Sequence, residues 1–256
     1  MVKTCIITGF GINADIELKS AFELAGSKAD RVHIKDLIKS PEIINNFHII
    51  GFPGGFSYGD HLGSGKVFGS LFKKNLKNEL KAFVESGKIV IGICNGFQVL
   101  VKMGILPNLS SSWEPEVSLI HNESGKFEDR WISALFNKSC KCVWTTGLDE
   151  MDIPVRHGEG KFITGSKDIL NVLENENLVA LKYTSKTDTD SVTYPDNPNG
   201  SINNIAGISD RTGRIFGLMP HPEAFIYPEN HPTGKFNNSY GLDIFKNGVN
   251  YIKENF

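Results

Sequence analysis

The sequence predicts an α/β fold, a single domain spanning residues 1–256 with a mixed, mostly parallel central sheet flanked by helices. Three observations predict it. Short apolar runs alternate with amphipathic stretches through the first half, the pattern of right-handed βαβ crossovers and a parallel sheet covered on both faces. In the second half, strand-like runs dominate. The stretches "GFPGG" and "GICNG" close two of the apolar runs at the carboxyl ends of strands, where open α/β sheets hold ligands.

The elements follow in order. "KTCIIT" reads as the first strand, and Asn13 is placed to cap a helix running through Phe22 and Leu24. "RVHIK", "FHIIGF" and "KIVIGIC" read as further strands. Leu76, Leu80, Phe83 and Val84 recur at i, i+4, i+7 and i+8, one face of a helix before the last of these. Phe97, Leu100 and Val101 keep helical spacing after Cys94 until Gly104 and Pro107 stop it. Downstream, "EVSLIHN", "KCVWTTG", "DIPVRHG", "LVALKY", "NIAGIS" and "RIFGLMP" are strand-like. Residues 185–204, rich in Asp, Asn, Thr, Ser and Pro, form a loop long enough to be functional or to lie at an interface. Leu242, Phe245, Val249 and Ile252 share a face of a final helix. No internal repeat, heptad seam or linker divides the chain.

Composition narrows the function classes. With 40% hydrophobic and 22% charged residues the chain reads as an ordinary soluble globular protein. A formal net charge of −2 supplies no attraction to nucleic acid or an anionic membrane. The opening "MVKTCIITGFG" is too short in apolar residues for a signal h-region or a membrane span. Four cysteines make no disulfide framework at this length, so a reducing cytoplasm is expected. Cys140 and Cys142 would share a strand face, but no further ligands at workable spacing make a zinc site, and both are read as structural.

Chemistry concentrates at "KIVIGICNGFQ". A strand, a sharp turn and a helix with glycines around Cys94 make a nucleophile elbow. The turn lifts the side chain clear of the sheet, and the helix amino terminus favours a thiolate. The N–H of Asn95 can meet the oxyanion that forms when the thiolate attacks a carbonyl. Taken alone, G-x-C-x-G also suits a small buried core cysteine. "GLMPHPEAF" supplies what a thiol nucleophile needs: His221 as base and Glu223 to hold its tautomer. The glycine pair of "GFPGGFSYGD" allows close approach to a ligand, with the Gly55 N–H as second oxyanion donor. No phosphate-loop motif occurs.

These three segments resemble the class I (triad-type) glutamine amidotransferases, with Cys in G-x-C-x-G-x-Q and a later H-P-E. Within that family the closer resemblance is to glutaminase subunits serving an amidine-forming synthase of purine biosynthesis. It is carried by residues 53–60, 92–98, 122–127, 157–162, 194–201 and 217–223, in order along most of the chain. The resemblance implies a flavodoxin-like amidotransferase fold, a Cys94–His221–Glu223 triad and an oxyanion hole from the Gly55 and Asn95 backbones. It further implies that Gln98 contacts bound glutamine and that His157 and Gly158 line its amino-acid end. Residues 61–84 and 227–256 depart from the common short bacterial form, which leaves the docking surface open. A different synthetase, or a non-catalytic regulatory role, is the alternative.

The implied course is attack of the Cys94 thiolate on the glutamine amide, release of ammonia through His221, and hydrolysis of a γ-glutamyl thioester. Each oxyanion donor is worth roughly 3–4 kcal/mol of transition-state stabilisation. The chain is expected to bind no metal or cofactor of its own. ATP and Mg²⁺ are expected on a partner synthetase subunit that receives the ammonia, with a small third subunit completing the complex.

Overall fold

The fold is taken from a computed structural model, which describes residues 1–187, 191–234 and 240–256. In its first half, β1 (Lys3–Thr8), α1 (Asp15–Leu24), β2 (Lys28–His33), α2 (Ile34–Lys39), β3 (Ile49–Phe52), α3 (Lys66–Glu85), β4 (Ile89–Ile93) and α4 (Asn95–Met103) alternate. The second half runs β5 (Val117–His121), β6 (Glu128–Phe136), β7 (Glu150–His157), β8 (Glu159–Thr164), α5 (Lys167–Asn175), β9 (Val179–Thr184), β10 (Ile205–Ser209), β11 (Ile215–Leu218) and α6 (Leu242–Asn255). Nine strands make one mixed sheet in the order β2-β1-β3-β4-β11-β10-β9-β6-β7, and β5 pairs with β8 beside it. Pairing is parallel from β2 through β11 and antiparallel from β11 to β7.

Burial explains the parallel half. All five residues of β4 are buried, as a strand covered on both faces requires. Phe68, Phe72, Leu76, Leu80 and Phe83 form the buried stripe of α3, and Phe72 meets Phe52 edge-on with ring centroids 5.1 Å apart. Truncating such a phenylalanine costs about 3–5 kcal/mol. At the other face, α6 buries Leu242, Phe245, Val249 and Ile252, the predicted face, and sets Phe245 edge-on to Phe22 of α1 at 5.1 Å.

Two local expectations are corrected, and two strands went unread. "KCVWTTG" is no strand: residues Val143–Thr145 form a 3-10 turn. Trp144 is fully buried, with Phe22 at 6.2 Å and Gly248 leaving room for its ring, and Asn247 donates to the carbonyls of Trp144 and Thr146. That anchor outweighs the local strand preference, so Cys140 and Cys142 share no strand face. Asn13 does not cap α1. The capping position is Ala14 without a side-chain bond, because the Asn13 and Ala14 N–H groups both donate to Gly54 O. Finally, β6 and β8 went unread: the charged opening of "EDRWISALF" hides a strand whose Ile132, Ala134 and Phe136 alternate inward. Of the loop 185–204, residues 188–190 lie outside the described residues.

Candidate active site

Cys94 sits where β4 becomes α4. Its N–H still belongs to the sheet, donating to Leu218 O at 2.8 Å, while its carbonyl accepts the first helical bond from Gln98 N at 3.1 Å. Joining both in one residue forces φ 52° and ψ −107°, a conformation that costs about 1–3 kcal/mol outside glycine. The flanking glycines let the joint close. A Cβ on Gly96 would lie 2.0 Å from the Phe52 carbonyl oxygen, and one on Gly92 would lie 2.7 Å from that of Gly96. Both glycines are therefore steric requirements of the elbow.

His221 follows β11, the parallel neighbour of β4, so the two strand ends bring thiol and imidazole together. Its backbone N–H is fixed by Pro154 O of β7 at 2.8 Å. A 3-10 turn at Pro222–Ala224 swings Glu223 back, and its Oε1 lies 2.6 Å from His221 Nδ1. Both side chains are almost wholly buried. Burial by itself would lower the His221 pKa, but the Glu223 carboxylate and the Cys94 sulfur reverse this and hold it above the usual histidine range. The imidazole therefore keeps its proton beside the sulfur. Nε2 has no hydrogen-bond partner among the described residues, and the Cys94 sulfur acts on the ring first through its charge; catalytic hydrogen bonds of this kind tighten when substrate binds.

Gly55 follows β3, and Asn95 follows Cys94 as the first residue of α4. Gly55 has φ 147° and pairs with Ile12 in an isolated antiparallel bridge. The bonds of that bridge run from Asn13 N to Gly54 O and from Phe56 N to Gly11 O, so the Gly55 N–H turns away from Ile12. Asn95 opens α4, and its side chain is fully buried, accepting from Ser57 N at 3.2 Å and donating to Asp60 Oδ1 at 3.3 Å and Gln98 Oε1 at 2.9 Å. This network ties the loop after β3 to the start of α4. Asp60 titrates above the ordinary carboxylate range because burial outweighs its bonds to Gly65, Ser64 and Asn95.

A cavity of about 140 Å³ opens over these groups, walled by Cys94, His221, Gly55, Phe56, Phe127 and Arg156, with Asn13, Ala14 and Glu17 at its α1 side. Gln98, His157 and Gly158 do not form its wall. Gln98 spends its amide inward, accepting from Asn95 and donating to Glu159 O at 2.5 Å. His157 is buried with Nδ1 3.0 Å from Asn122 Oδ1, which also accepts from Gly160 N. Burial, helped by the nearby His221, pushes the His157 pKa down to about 3 and keeps the ring neutral. The cavity wall also contains residues the motifs did not single out. Arg156 and Glu17 belong to no signature, though Arg156 stands directly before "HGEG". No group of three or more histidine, cysteine or acidic side chains able to hold a metal occurs among the described residues.

An elbow cysteine and the imidazole of a buried His–Glu pair share one cavity, with Gly55 in its wall. The chain belongs to the CobB/CobQ-like glutamine amidotransferase family, whose model matches residues 1–252. Among curated relatives, it is 44% identical to the phosphoribosylformylglycinamidine synthase subunit PurQ of Dehalococcoides mccartyi, over 99% of this chain and 98% of that one. It is 39% identical to the subunit of the same name from Methanococcus maripaludis, covering 98% of each. Among solved structures, PurLQS from Thermotoga maritima contains a chain matching with a TM-score of 0.74 and 27% identity, over 98% of this chain and 99% of that one. A glutamine amidotransferase from Thermotoga maritima shares the fold at 15% identity and a TM-score of 0.52, over 87% of this chain and 76% of that one.

Proposed function

We propose that the chain is the glutaminase subunit of a phosphoribosylformylglycinamidine synthase, and that residues 1–256 act as one amidotransferase domain. The observation that carries the chemistry is the His221–Glu223 contact of 2.6 Å held against the elbow cysteine in a shared cavity. The near full-length similarity to the PurQ subunits supports the choice of synthase.

In this reading Cys94 attacks the side-chain amide of glutamine, and the Gly55 and Asn95 N–H groups receive the oxyanion. His221, protonated beside Glu223, gives its proton to the departing nitrogen. Ammonia leaves, a γ-glutamyl thioester remains on the sulfur, and His221 then draws a proton from water to release glutamate. Gln98, His157 and Gly158 shape the amino-acid end of the site from behind its wall. The bond-making and bond-breaking steps require no metal or cofactor on this chain.

The ammonia passes to a synthetase subunit, with a small third subunit in the complex, and ATP and Mg²⁺ are used there to convert formylglycinamide ribonucleotide to the amidine. Sheltered transfer suits the chemistry, because ammonia released into neutral water becomes unreactive ammonium. Phe56 and Phe127, about half exposed with ring centroids 6.2 Å apart at the cavity wall, offer apolar surface for a covering partner. No helix among the described residues is long and apolar enough to cross a membrane, and a cytoplasmic location is part of the proposal. Reconstitution with the synthetase, ATP and formylglycinamide ribonucleotide tests it by following glutamate and amidine together. Matched formation is expected. Glutamine hydrolysis with no transfer to that acceptor would redirect the chain to another synthetase, and no hydrolysis within an assembled complex would end the glutaminase reading.

A further inference from the structure

Arg156 is the penultimate residue of β7, and its carbonyl lies 3.7 Å from the Cys94 sulfur. Arg156 lines the same cavity as Cys94 and His221, and its Nη2 is buried with no hydrogen-bond partner among the described residues. A guanidinium carries five donors and cannot shed its charge, so an unsatisfied buried donor on it is costly until a carboxylate or phosphate arrives. Two acidic residues flank it, one across the strand ladder and one on the same cavity wall. Asp129 faces it across the β6–β7 ladder but is exposed, off the cavity wall and not ion-paired with it. Glu17, on α1, lies on the cavity wall, exposed and likewise not paired with it. One cavity thus holds a nucleophile, an unspent cation and an unspent anion that do not close on each other.

We propose that Arg156 binds the α-carboxylate of the amino-acid substrate, with Glu17 taking its α-ammonium group. This deepens the glutaminase reading and rests on it. A free amino acid carries opposite charges on one carbon, so a cation and an anion kept apart in a single cavity suit its head. The amide end then extends toward Cys94. Charge-assisted contacts of this type also give the site a way to reject peptides and simple amides that lack the zwitterion.

The test uses the full chain assembled with its synthetase, comparing wild type, Arg156→Met, Arg156→Lys and Asp129→Asn. The substrates are glutamine and 4-aminobutanamide, which keeps the amide and amine but lacks the carboxylate. For Arg156→Met we expect KM for glutamine to rise about 10- to 100-fold, with kcat falling far less. Preference for glutamine over 4-aminobutanamide should narrow by a similar factor, Arg156→Lys should recover part of it, and Asp129→Asn should keep the wild-type KM. Wild-type turnover is measured first, and its absence would sink the glutaminase reading itself. If wild type turns over but Arg156→Met keeps its KM and its discrimination, the carboxylate assignment is wrong. A loss confined to kcat or to complex assembly, with discrimination intact, overturns it equally.

Discussion

On the parallel side of the sheet, β3, β4 and β11 deliver Gly55, Cys94 and His221 from their carboxyl ends, each from a different strand. On the antiparallel side, β7 alone delivers Arg156 and His157, as its last two residues. The difference reflects geometry. Parallel neighbours end at the same edge, so groups far apart in sequence converge there and reacting atoms can be held from several directions. In the antiparallel half every second strand runs the other way, so fewer carboxyl ends meet at that edge, and the contribution of β7 is a wall whose backbone lies against the sulfur. The reacting groups and the wall should therefore fail in different ways when altered.

The largest effect is expected at Cys94. Cys94→Ala should reduce glutamine hydrolysis in the complex by roughly 10⁴- to 10⁶-fold, as loss of a triad nucleophile does. Glutamate release measures it, with unchanged circular dichroism as the control for folding. Hydrolysis at the wild-type rate would move the chemistry off the parallel edge altogether.

Next comes the group behind the base. Glu223→Gln keeps the shape but removes the negative charge that raises the His221 pKa, and by analogy with triad acid-to-amide changes should cost about 10²- to 10⁴-fold in kcat/KM. The sign of the pH effect follows. With the carboxylate gone, the imidazolium loses its proton at lower pH, so the alkaline limb of the rate profile should move down. An unmoved limb would mean that Glu223 acts only by packing. The elbow itself is probed by Gly96→Ala. The new methyl would meet the Phe52 carbonyl, part of the backbone and unable to swing aside, so stability should fall by about 1–3 kcal/mol in urea melts, with activity falling alongside.

How much of this was legible follows the same division. That Cys94, His221 and Gly55 meet at one cavity, with Glu223 on His221, was legible because a strained turn, a proline-fixed pair and a glycine doublet leave local signatures. The parallel strands were readable too, since burial on both faces leaves continuous apolar runs such as "IVIGI". The antiparallel half was harder. In β6 the first three residues are charged and apolar residues follow on both faces, and Trp144 looks strand-like until α6 is seen to receive it. Gln98 illustrates a further limit: its place beside the nucleophile was visible, but its inward bonds to Asn95 and Glu159 arise only when the loops assemble. Arg156 left no signal, because an unpaired guanidinium is a statement about neighbours that are missing.

On the antiparallel side, His157 sharpens the contrast by acting on stability. Its pKa lies near 3 when folded against an ordinary value of 6.5. Between these values the unfolded chain holds the extra proton, so stability rises with pH and is lost progressively as pH falls from about 6.5 toward 3. His157→Gln removes that term, and the gap in denaturation midpoint between pH 7 and pH 5 should shrink relative to wild type. An unchanged gap would show that the acid sensitivity lies elsewhere.

The smallest effect marks where the wall ends. Lys138 and Asp149 pair at 2.8 Å near the joined ends of β6 and β7, with side chains 69% and 66% exposed. Water and salt screen such a pair, and ordering the long lysine side chain offsets most of its attraction. Lys138→Ala should therefore change stability by less than about 1 kcal/mol and leave glutamine turnover untouched, measured in the same melts and assays. A marked loss of turnover would mean that the far end of these strands communicates with the Arg156 end, and that the antiparallel half is more than a wall.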